Sequence, residues 1–106
     1  MERRVEDILV ALGDRLRARY GDRLARLIVY GSHARGDADP QSDIDVLVVL
    51  RGDVAPGLEI SRTSQDVAEV SLTHNAVVAC VFVSEAAYEN ERSPLLLNVR
   101  REGIPA

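Results

Sequence analysis

Gly31-Ser32, ten intervening residues, and then Asp43-Ile44-Asp45 leading into Val46-Leu47-Val48-Val49-Leu50 form the stretch of this chain whose residue types could do chemistry. In extended backbone, residues i and i+2 share a face about 7 Å apart, so Asp43 and Asp45 point one way and Ile44 the other. Two carboxylates converging at the mouth of a buried strand repel and raise one pKa unless a cation offsets them. Hard oxygen ligands at a half-open site suit Mg²⁺, which binds through one or two carboxylates and completes its octahedron with water and substrate phosphates. Gly31 has no side chain to block a phosphate, and the N–H groups after it, with the Ser32 hydroxyl, can form an anion nest at a helical N-terminus. A nucleoside triphosphate bridging nest and metal would offer its α-phosphate to an acceptor hydroxyl, with pyrophosphate leaving.

The elements that must position these residues can be read from periodicity. Val5, Ile8, Leu9, Leu12 and Leu16 recur at helical spacing, predicting an amphipathic helix from about Glu2 to Tyr20 that stops at Gly21. Leu27 to Tyr30 is a short, β-branched apolar run ending at Gly31, which predicts a buried strand entering a tight turn. From Ser32 to Gln41 the Gly, Asp and Pro content predicts a short helical turn and a loop. Ile44 to Leu50 is the second strand; because its apolar residues are continuous after Asp45, it should be covered on both faces and lie centrally. Pro56 to about Thr73 reads as a second long helix with Ile60, Val67 and Val70 buried. Ala76 to Val83 reads as a third core strand. Ser93-Pro94 opens a C-terminal helix with Leu95, Leu96 and Val99 on its apolar face. The order predicts an α/β (α+β) fold, a small sheet with helices packed on it.

Composition narrows the classes. At 106 residues, residues 1–106 are expected to form a single domain, with no room for a separate acceptor domain. The net charge of −4 argues against general nucleic-acid binding while leaving room for a local basic patch. All 13 basic residues are arginines, which excludes the P-loop lysine and any lysine Schiff base. One cysteine, and no apolar leader or membrane-length run, point to a cytoplasmic protein with no membrane association.

Arg35 is placed either to touch a phosphate or to sit solvated in its loop. Asp37 and Asp39 shape that loop, and an EF-hand starting at Asp37 fails because Ser42 stands at its glycine position and Val48 at its terminal glutamate. His33 and His74 are too far apart in sequence to suggest zinc and read as structural or exposed. Cys80 reads as a small buried side chain.

The joint pattern, embedded in YGSHARGDADPQSDIDVLVV, resembles the polymerase-β-like nucleotidyltransferase superfamily, and within it the minimal, MNT-type branch. The resemblance implies a mixed-sheet nucleotidyltransferase fold, Mg²⁺, and ATP as donor. It implies that Gly31 and Ser32 hold the phosphates, beside the candidate Arg35 that follows the nest, while Asp43 and Asp45 ligate metal as the catalytic pair. It further implies an antitoxin partnered with a HEPN ribonuclease toxin, silenced by AMP transferred to a tyrosine, in a homo- or hetero-oligomer. The family's third carboxylate comes from a later core strand, yet Ala76 to Val83 contains no acid, leaving Glu85 just beyond as the nearest one. That departure keeps a second reading alongside the first, a non-catalytic antitoxin that neutralises its toxin by binding. A small-molecule transferase of the antibiotic-modifying kind is disfavoured, since it would need a second domain for its acceptor.

Overall fold

The computed structural model describes residues Met1–Ala106, and its architecture follows from which stripes the sequence leaves apolar. Helix α1 (Arg3–Tyr20) buries Val5, Ile8, Leu9, Leu12 and Leu16, the stripe that the helical spacing predicts. A single 3₁₀ turn at Gly21–Arg23 leads into β1 (Leu24–Tyr30), which begins three residues earlier than the apolar run alone suggests. The helical turn α2 (Ser32–Arg35) precedes β2 (Ile44–Leu50), followed by α3 (Pro56–His74), β3 (Val78–Ser84), α4 (Glu85–Asn90), α5 (Pro94–Glu102) and the two-residue strand β4 (Ile104–Pro105).

The sheet order is β3-β2-β1-β4, with β2 antiparallel to β1 and parallel to β3. The parallel β2–β3 pair requires a crossover, and α3 supplies it. Alternation along β2 divides the core: Ile44, Val46, Val48 and Leu50 pack with α1 on one face, while Leu47 and Val49 pack with Leu96 and Val99 of α5 on the other. The central, doubly covered strand expected from the continuous apolar run is therefore present.

Two expectations require correction. Ile60 is 52% exposed, and α3 instead turns Glu59, Thr63 and Val70 inward. The helix is rotated because Glu59 has partners inside: its carboxylate accepts from the Tyr20 hydroxyl at 2.7 Å, from Arg23 at 3.3 Å and from Arg62 at 3.4 Å. A satisfied carboxylate thus occupies a place where periodicity favours an aliphatic side chain. The third strand starts at Val78 rather than Ala76 and is an edge strand, with only Val78 and Phe82 buried, because nothing pairs with its outer side.

Helix α4 and strand β4 lie outside what the sequence pattern predicts. Ser84 caps α4 by accepting the Ala87 N–H at 3.1 Å, as Ser93 caps α5 by accepting that of Leu96 at 3.3 Å. Gly103 then lets the chain turn close against β1, since a Cβ there would stand 2.6 Å from Ile28 Cγ2 and 2.5 Å from the Val99 carbonyl oxygen.

Candidate functional site

The strand register places Tyr30, the last residue of β1, directly opposite Asp45. Gly31 therefore leaves the sheet beside the Asp45 carboxylate. Its φ of 75° is a conformation that L side chains rarely adopt, and a Cβ there would stand 2.5 Å from Asp45 Oδ2. Two independent constraints thus demand glycine at this position. Gly31 is also the N-cap of α2, whose first backward bond runs from the Arg35 N–H to the Gly31 carbonyl at 3.1 Å. The N–H groups of Ser32, His33 and Ala34 precede that bond and have no acceptor within the turn.

Asp43 sits in the extended entrance to β2 and Asp45 inside the strand's first turn of pairing, the former exposed and the latter half-buried. Burial pushes the Asp45 carboxyl up, and the negative charge of Asp43 pushes it further, while His33 and Arg35 partly counter both. The two carboxylates are thus close enough to repel, as the i, i+2 spacing predicts. Such a pair, left short of positive charge beside a cradle that only glycine permits, fits a divalent cation whose remaining ligands are phosphate oxygens and water. No cluster of three His, Cys, Asp or Glu side chains forms a closed all-protein metal cage.

Glu85 is not at this site. It follows Ser84, which pairs with Leu50 at the far end of β2, and it faces Arg51 at 3.9 Å. Five strand steps, about 17 Å, separate that end from Asp45. The β3 residue that does stand opposite Asp45 is Ala79.

Arg35 lies near Asp45 but is already engaged, with Asp37 at 3.2 Å and Glu102, the last residue of α5, at 3.3 Å. His33 is buried, and its Nε2 stands 3.0 Å from the Ser42 carbonyl, pinning the loop that delivers Asp43. Asp39 organises the same loop by accepting the Gln41 N–H at 2.7 Å. His74 is hydrogen-bonded to the Val70 carbonyl of its own helix and lies apart from the site. Cys80, read from the sequence as buried, is only half-buried on the edge strand; it faces the opposite layer, where desolvation pushes its thiol up to about 12 and disfavours the nucleophilic thiolate. Sequence reasoning missed Tyr30 and Glu102. The Tyr30 phenol is pushed up by burial, then by Asp45 and Cys80, and a tyrosine closing a strand immediately before the glycine was its only signal.

The sequence model described as the nucleotidyltransferase domain matches residues 10–93. A protein of Methanocaldococcus jannaschii, provisionally named a protein adenylyltransferase, is 36% identical over 63 residues, covering 59% of this chain and 61% of the relative. A second protein of that organism, with the same provisional name, is 53% identical over 30 residues, 28% of this chain and 30% of its own. The chain thus spans under two thirds of the curated relatives it matches. A solved structure provisionally described as a minimal nucleotidyltransferase is 32% identical, with a TM-score of 0.55 covering 98% of this chain and 89% of that one. A toxin-antitoxin crystal structure with AMP-PNP superimposes with a TM-score of 0.63 at 17% identity, covering 89% of this chain and 68% of its own. The tri-AMPylated HEPN toxin of Shewanella oneidensis in complex with MNT antitoxin gives 0.53 at 14% identity, covering 92% and 70%. At such identities the last two likenesses speak to the fold.

Proposed function

Because the chain belongs to the nucleotidyltransferase domain family, we propose that it is an antitoxin that transfers AMP from Mg-ATP to a HEPN-type ribonuclease toxin in the cytoplasm. The observation that carries the reading is the placement of Gly31 against Asp45. In that arrangement Ser32 and the free N–H groups after Gly31 hold the outer phosphates, and Arg35 adds a cation beside them. Asp43 and Asp45 would hold Mg²⁺, which when bound offsets charge on the α-phosphate and on the leaving pyrophosphate. The bond from the α-phosphorus to the bridging oxygen breaks as the acceptor oxygen bonds to phosphorus. Since Ala79 rather than an acid stands opposite Asp45, the acceptor's proton passes to solvent or to a base on the toxin. The residues of this chain accordingly bind and orient the donor, and a single domain over residues 1–106 suffices for that part.

The test is co-expression with a HEPN-type toxin followed by intact-mass analysis of the toxin. AMP adducts should appear with the wild-type chain and vanish with Asp43→Asn; an unmodified toxin under saturating Mg-ATP would sink the proposal. The position of Ala79 also favours a second reading, an antitoxin that neutralises by binding alone. In that case protection survives Asp43→Asn combined with Asp45→Asn.

A further inference from the structure

At the other end of β1, four arginines face one cleft. Arg17 of α1, Arg26 of β1, Arg51 just after β2 and Arg100 of α5 line a cavity of about 460 Å³, together with Tyr88 of α4. Arg26 stands opposite Val49 and Tyr30 opposite Asp45, so Arg26 lies about 13 Å along β1 from the donor carboxylates, four strand steps away.

Asp22 is the one acidic side chain in that lining, and it meets Arg51 through its backbone carbonyl, so these cations are only partly neutralised. Arg26 forms no ion pair, and its guanidinium lies over the Tyr88 ring, 5.5 Å from the centroid. Arg100 donates to neutral acceptors, the carbonyls of Tyr88 and Glu91. Arg51 gives one donor to the Asp22 carbonyl and meets Glu85 only at 3.9 Å, while Arg17 pairs with Asp14 at 3.3 Å on the open helix surface. Four cations around one cleft run against the chain's net charge of −4.

Guanidinium forks match phosphate oxygens, and a guanidinium layered on an aromatic ring presents a flat surface on which a base can stack. Small-molecule sites enclose roughly 300–1,000 Å³, so a cleft of this size holds one nucleotide rather than a polymer. We propose that it is a second nucleotide site, independent of metal, that takes a nucleoside di- or triphosphate. Its phosphates meet Arg17, Arg51 and Arg100, and its base stacks against the Arg26–Tyr88 pair.

The experiment titrates the full chain carrying Asp43→Asn and Asp45→Asn with ADP in EDTA, which silences the donor site, so failure here is separable from failure of AMP transfer. One equivalent of ADP should bind, and adding Arg17→Ala with Arg26→Ala should weaken it at least about tenfold, as expected when charge-assisted bonds are removed. ADP should also shift amides at residues 24–28, 88 and 99–103 and leave 31–45 unmoved, a readout that needs no further variant. Absence of ADP binding, or shifts confined to 31–45, overturns the proposal. Tripolyphosphate binding as tightly as ADP would remove the nucleotide assignment, and so would a ten-nucleotide oligoadenylate binding over tenfold tighter.

Discussion

Asp45 is held in a position that disfavours its own charge, and this has a measurable sign. Its folded-state pKa is raised above the ordinary 3.8, first by burial and then by Asp43. Between the unfolded value and the raised one, the folded chain binds more protons than the unfolded chain, so stability falls as pH rises through that window. Asp45→Asn should therefore be the more stable protein at pH 7 without divalent cations. The advantage should vanish near pH 3, and urea midpoints at the two pH values check it. The aspartate pair and Gly31 were legible in the sequence because their relation is local, set by strand spacing and one turn. Glu102 was not, because it reaches Arg35 only after α5 has packed across β1, a distance of 67 residues that no periodicity encodes.

Helix α3 shows what element-level reading gains and loses. Its start at Pro56 and its length were legible from the proline and from the neighbouring strands, whereas its rotation was set by Glu59, a residue that hydropathy assigns to solvent. Burial alone would raise the Glu59 carboxyl, but Tyr20, Arg23 and Arg62 together bring it below its usual value. A lowered folded pKa means stabilisation that is present above pH 4.5 and lost as pH falls below it. Glu59→Ala leaves Arg23 and the Tyr20 hydroxyl without their buried acceptor and should cost about 3 kcal/mol at pH 7, read from urea unfolding. Short elements resisted prediction for a different reason. The six residues of α4 bury no side chain and β4 has only two, so neither carries a hydrophobic period.

On the scale of the whole molecule, a small sheet covered by helices was legible from element order and its mixed strand directions from the family resemblance, while the status of β3 as an edge was not, since an apolar run reports burial without naming neighbours. Asp45 is mounted on β2, with Asp43 at its entrance, and β2 is the strand paired on both sides and covered on both faces. Amides of β2 should therefore exchange with deuterium only through global unfolding, whereas α4 should exchange through local opening, at rates that do not track global stability in mild urea. The bridge from Arg35 to Asp37 and Glu102 has a further consequence for what this rigid frame admits. A guanidinium shared by two acidic side chains passes most readily to a visitor richer in negative charge than they are. If Arg35 serves the donor as proposed, entry becomes a contest of valence, in which a triphosphate should displace the resident acids more readily than a monophosphate does.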